Sequence, residues 1–141
     1  MYDNILLPTD GSESMDSVLD HAIELATVHD ATLHALYVAN TASLSDLPME
    51  SSWENVSAAL RKQGEDAIKT VEEKAGDLLV ETTILEGSPS REIVDYAEEN
   101  DIDVVVMGTH GRSGVDRLLL GSVAERVLRS SPVPVLAIRL D

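Results

Sequence analysis

The chain contains no cysteine. Disulfides, thiolate zinc sites and cysteine nucleophiles are therefore excluded together. Phenylalanine is absent too, and aromatic residues make up only 3% of the 141 positions, so a core has to be built from Val, Leu, Ile and Ala. Lysine is scarce: Lys62, Lys69 and Lys74 stand beside seven arginines and 26 acidic residues, for a formal charge of -16. Such a charge repels nucleic-acid phosphates and anionic lipid heads, which argues against nucleic-acid and membrane partners. No apolar run approaches the roughly 20 residues that span a bilayer. The opening MYDNILLPTDG has neither the basic region nor the apolar length of a signal peptide. The expectation is a soluble, cytoplasmic chain. Its acidic, lysine-poor composition points to a salt-rich, halophilic cytoplasm, because at 1 M salt the Debye length shrinks to about 3 Å and self-repulsion is screened. An acidic solvated surface in a mesophile is the plainer alternative.

Several nucleotide motifs are also missing. There is no G-x-x-x-x-G-K-[ST], which excludes a Walker-type NTPase. No G-x-G-x-x-G follows the first apolar run, which argues against a dinucleotide enzyme. The S-G-G-x-D-S loop of ATP pyrophosphatases and the HIGH-type and KMSKS-type motifs of nucleotidyl transferases are absent.

Short aliphatic runs alternate with helix-period segments. Residues 3–8 (DNILLP), 32–39 (TLHALYVA), 78–86 (LLVETTILE), 103–107 (DVVVM) and 133–139 (VPVLAIR) read as five strands. Between them, Met15, Val18, Leu19, Ala22, Ile23 and Ala26 share one helical stripe, and a second helix runs from about Val56 to Ala75, ended by Gly76. A third helix starts at Ser88-Pro89 and a fourth at Ser122. The polar segment 41–56 reads as a loop. This alternation predicts one α/β domain over 1–141, a doubly wound parallel sheet with helices on both faces. Ligands of such sheets sit beyond the carboxyl ends of the strands, where the strand order reverses. That directs attention to PTDGSES, VANTA and GTHGRSG. Asp16, Asp20 and Glu24, like charges four apart on one helix, each cost a few tenths of a kcal/mol at low salt, on the order of 0.2–0.5 per pair.

The segment MGTHGRSGVDRLLLGSVAERV (107–127) holds Gly108, Gly111, Gly114 and Gly121. Glycine backbone can converge N–H groups on an anion, and a helix starting at Ser122 offers its positive end. Equally, Ser122 and Glu125 match a capping box that would satisfy the helix start without a ligand. Asp10 in the Asp-Gly turn has two readings as well, as a ligand group or as an acceptor for its own turn. His110 reads as a solvent-facing loop residue. Trp53 either covers a bound group or anchors its loop. His21, His29 and His34 share no metal-ligand spacing, so no metal site is proposed.

The spacing Gly108-x2-Gly111-x9-Gly121-Ser122, after a buried strand and leading into a helix, resembles the ATP-binding signature of the universal stress protein family. DNILLPTD (3–10) and GSVAERVLRSSPVPVLAIR (121–139) resemble that family's first strand and last helix and strand, and the resemblance covers essentially the whole chain. It implies a five-stranded sheet in order 3-2-1-4-5, of the adenine nucleotide alpha hydrolase-like kind. It also implies that Pro8, Thr9 and Asp10 lie against the nucleotide, with Asp10 near the ribose or a phosphate-held metal. Val38 would meet adenine through its backbone. Met107 and Gly108 would border the ribose, and Gly111, Arg112, Gly121, Ser122 and Val123 the phosphates. The implied ligand is ATP with Mg²⁺, or AMP or another adenine nucleotide. The implied assembly is a homodimer through the last strand, Val133 to Arg139. No catalytic residue is assigned: without a lysine in the glycine segment or an evident base, phosphoryl transfer lacks its parts. The reading is an ATP-binding, dimeric stress-response regulator. A slow ATP hydrolase or phosphotransferase and a nucleotide-independent dimeric scaffold are its alternatives.

Overall fold

Five parallel strands in the order β3-β2-β1-β4-β5 form the sheet of the computed structural model. The structure describes residues 1–41, 50–109 and 121–139, and of residues 50–53 the backbone alone. The strands are β1 (Asn4–Pro8), β2 (Thr32–Asn40), β3 (Val80–Gly87), β4 (Val104–Gly108) and β5 (Val135–Ile138). The helices are α1 (Asp16–His29, entered through a 3₁₀ turn at Glu13–Met15), α2 (Glu50–Ala75), α3 (Pro89–Glu99) and α4 (Ser122–Ser130). The strand order is the one implied by the resemblance. Helix α2 begins earlier than expected: the segment read as a loop through residue 56 is helical from Glu50. Its first turns (ESSWEN) lack the apolar stripe that identifies an amphipathic helix, so periodicity alone does not reveal them.

Alternation along the central strands divides the core in two. Ile5, Leu7, Leu33, Ala35, Val104 and Val106 face α1 and α2 with Val18, Ala22, Ala67 and Val71. Leu6, Leu36, Val105 and Met107 face α3 and α4 with Ile93, Ala97, Ala124 and Val127. Strands β1 and β4 are buried on both faces, as their unbroken apolar runs require. The acidic stripe of α1 is partly relieved by Lys74 of α2, whose Nζ lies 3.6 Å from Asp16 and 3.3 Å from Asp20. Gly76 takes φ 61° just past α2, a left-handed stop that glycine adopts without strain.

One polar group is built into the second core. His34 on β2 is buried, with Nδ1 2.9 Å from the Tyr96 hydroxyl and Nε2 3.0 Å from Asn4 Oδ1. The Asn4 amide nitrogen donates to the Asp101 carbonyl, which turns its oxygen toward the ring. The neutral imidazole protonated on Nε2 therefore donates to Asn4 and accepts from Tyr96, satisfying both nitrogens.

Candidate functional site

The register explains where the sheet opens. β1 pairs with β2 from Asn4↔Thr32 to Pro8↔Leu36, but its pairing with β4 is limited to Ile5↔Val104 and Leu6↔Val105. Beyond those two pairs β1 and β4 part, at the point where the strand order reverses. Strand β2 meanwhile continues past the end of β1 to Asn40, held on its other side by β3. The Thr9 N–H donates to the Leu36 carbonyl at 2.9 Å, so the backbone groups of Leu36 face β1. Two residues on, alternation turns the N–H and C=O of Val38 to that same side, where β1 has ended.

A cleft of about 510 Å³ occupies this opening, within the range of small-molecule sites. Pro8, Thr9, Asp10, Val38, Met107, Gly108, Gly121, Ser122 and Val123 all line it, so nine of the eleven expected site residues converge. The other two, Gly111 and Arg112, lie outside the described residues, as do His110, Gly114 and the side chain of Trp53. Both ends of the glycine segment are fixed: Thr109 N–H donates to Ile138 O, and Gly121 N–H donates to Thr109 O at 2.7 Å. The chain thus leaves β4 and re-enters α4 at one place.

Helix α4 starts differently from the capping-box expectation. Its cap is Gly121, Ser122 is already the first helical residue, and no side-chain hydrogen bond caps it among the described residues. Glu125 instead pairs with Arg129 one turn on, at 2.8 Å. The offset of one residue removes the geometry in which a Ser at the cap reaches the third helical N–H. The start of α4 therefore points its N–H groups and dipole into the cleft, a suitable place for an anion. Asp10 is the sole carboxylate among the described lining residues, and its Oδ1 accepts from the Ser12 backbone (2.9 Å) and hydroxyl (2.6 Å). The turn reading of Asp10 thus holds together with its place in the cleft. No lysine or arginine stands among the described lining residues, and the positive potential these residues offer comes from backbone N–H groups and the helix dipole.

Tyr37, Leu60 and Gln63 also line the cleft and were not expected from the sequence. Leu60 stands at helical spacing from Val56 in the second helix, and nothing in a single sequence says which end of that helix meets a strand end. The one available signal is Gly64, a glycine inside a helix, which marks a close approach.

Comparison with known proteins follows the same lines. Residues 1–139 match the model of the universal stress protein family. A universal stress protein of Methanocaldococcus jannaschii, MJ0531, is 42% identical over 141 residues, covering 99% of this chain and 83% of that protein. The solved structure of MJ0577 from the same organism superposes with a TM-score of 0.87 at 29% identity, covering 100% of this chain and 98% of that one. A universal stress protein solved in complex with cAMP shares the fold at 24% identity, with a TM-score of 0.72 and 99% of each chain covered.

Proposed function

The chain belongs to the universal stress protein family, and on that premise we propose that it is an ATP-binding, dimeric stress-response regulator that holds its nucleotide rather than turning it over. The observation that carries this reading is the uncapped start of α4 facing one end of the cleft while the Val38 backbone faces the other. Between them the lining is largely apolar (Leu36, Leu60, Ile93, Met107, Val123), as a flat base and a ribose require. The cAMP carried by a protein of the same fold supports an adenine nucleotide as the ligand class. In this reading Gly121, Ser122 and Val123 take phosphates, Gly111 and Arg112 join them from the glycine segment, Met107 and Gly108 border the ribose, and Pro8, Thr9 and Asp10 close the near wall. Mg²⁺ would be held by phosphate oxygens with Asp10 as the protein's contribution. Asp10 accepts from Ser12, and the described lining residues include no lysine to clamp a transferring phosphate.

The test is calorimetric titration of the full chain with ATP and Mg²⁺ in molar KCl, beside AMP and cAMP. Saturable ATP binding with no phosphate release supports the reading. Absence of binding by any of the three overturns it.

The dimer rests on β5, an edge strand bonded to β4 on one side and carrying a partly exposed Leu136. Light scattering at high and low salt should give twice the chain mass. A single-chain mass at both salts defeats this part.

A further inference from the structure

Glycine in a helix interior costs about 1 kcal/mol relative to alanine, yet α2 carries Gly64 there. The reason is Tyr37 of β2. A Cβ at position 64 would stand 2.6 Å from Tyr37 Cδ1 and 3.1 Å from Cε1, so the ring lies directly on the helix backbone. Tyr37 is buried, and this contact seats α2 over the end of β2, which brings Leu60 and Gln63 into the cleft wall. The Tyr37 hydroxyl then donates to Gln63 Oε1 at 3.4 Å. Gln63 follows Arg61 and Lys62 and precedes Glu65 and Asp66 on an exposed, charged stretch of helix. At the cleft it presents a neutral amide instead.

Resting on the reading of the cleft as an adenine-nucleotide site, we propose that Gln63 is a specificity-determining residue that hydrogen-bonds the edge of the base, with Tyr37 and Gly64 as its positioning residues. The placement follows from the topology. Gln63 and Val38 belong to the β2 side of the opening, and the anion-binding start of α4 belongs to the β4 side, so a nucleotide spanning β1 brings its base to Gln63. The chemistry follows from the amide. It offers one acceptor and one pair of donors side by side, and adenine presents the complement: the N6 amine beside a ring nitrogen acceptor. Oε1 has a second lone pair for N6–H while it accepts from Tyr37, and Nε2–H reaches the ring nitrogen. A hypoxanthine or guanine base places a carbonyl oxygen where adenine has N6. An amide held with Oε1 at that position meets it oxygen to oxygen.

The experiment titrates the full chain with ATP and with inosine triphosphate, which differs from ATP at the 6-position and the adjoining N1, under Mg²⁺ in molar KCl. Wild-type protein is expected to prefer ATP by about tenfold or more. Gln63→Leu should bring the two affinities within about threefold, with a change in melting temperature no larger than that of Tyr37→Phe, which loses the same hydrogen bond. Tyr37→Phe should lower the preference less than Gln63→Leu does. If wild-type binds ATP and Gln63→Leu keeps the same ATP preference, the inference fails and the nucleotide reading stands. Equal wild-type affinity for the two nucleotides overturns the inference as well. Binding of neither removes both.

Discussion

The seam between β1 and β4 has two ends, and the chain treats them in opposite ways. At the amino end Asp103 Oδ2 accepts from the backbone N–H groups of Asp3 (2.8 Å) and Asn4 (2.9 Å), while the Asp103 N–H donates to the Asn4 carbonyl. Nearby the Asn4 amide reaches Asp101 O, and Tyr2 N–H reaches His29 Nδ1. The strand starts are stapled by the chain's own side chains. At the carboxyl end the same strands separate after Leu6↔Val105, α4 begins with no side-chain cap among the described residues, and Val38 turns its backbone toward the gap. Buried or half-buried backbone groups must find partners somewhere. Where the chain supplies none, a ligand or water has to. The contrast, drawn among the described residues, is the one expected of a rim that serves stability and a rim that serves binding.

Substitutions on each rim sharpen that division, and the largest effect is expected at Gly121. Its φ of -65° and ψ of 155° suit any residue, so Gly121→Val tests the room beside the anion site and not backbone strain. Loss of ATP affinity by about 100-fold with a nearly unchanged melt is the expected result, since a branched side chain would stand over the N–H groups of α4. Ser122→Ala belongs with it. Because Ser122 caps nothing, this change should spare the roughly 1 kcal/mol that loss of a true N-cap costs, and should lower ATP affinity instead. A stability loss of that size in urea melts would restore the capping box. Next comes Gly64→Ala, which forces a methyl to 2.6 Å from the Tyr37 ring and should cost about 1–3 kcal/mol as overpacking, outweighing the gain in helix propensity. A neutral or stabilising outcome would mean that α2 is not seated by that contact. Asp103→Ala, on the sealed rim, should cost about 1–2 kcal/mol by removing the acceptor of two backbone donors, that of Asn4 half-buried, and leave ATP affinity within twofold. If it weakens ATP binding as Gly121→Val does, the two rims are not independent and the comparison breaks.

Much of this was legible in the residues themselves. The unbroken runs ILL and VVVM declare strands buried on both faces, and the position of PTDG and GTHG after them locates the crevice before any coordinates exist. What stayed hidden has physical causes. The start of α2 carries no apolar stripe, so nothing periodic marks it. The capping box at Ser122 is a pattern that a one-residue shift of the helix start empties, and sequence spacing cannot detect such a shift. Gln63 reaches the cleft because of how α2 lies on β2, a tertiary fact signalled only by a glycine out of place. His34 reads as one histidine among four, and its burial depends on Asn4 and Tyr96, which lie 30 and 62 residues away.

That histidine yields the smallest expected effect, and it tests whether the closed part of the molecule is closed in protonation as well as in geometry. Burial pushes the His34 imidazole below its ordinary value of 6.5, opposed in part by the Glu81 carboxylate at 3.4 Å. The neutral ring already has both nitrogens satisfied, donating to Asn4 and accepting from Tyr96. A proton added at Nδ1 would confront the Tyr96 hydroxyl with a donor, and that hydroxyl would have to turn its own hydrogen elsewhere. The unfolded chain takes up this proton near pH 6.5 and the folded chain only at lower pH, so between those two values the unfolded state binds more protons. The contribution of His34 to stability is therefore fully present above pH 6.5 and is lost as pH falls through the folded value, beyond which this group adds no further slope. Urea melts from pH 7.5 downward should show the decline in wild type and a shallower one in His34→Gln, whose amide can keep a donor and an acceptor in place without titrating. Because the two proteins differ only at position 34, the difference between the two slopes isolates that residue. Equal slopes would mean that the buried ring accepts its proton as readily folded as unfolded, and that Glu81 offsets the burial in full.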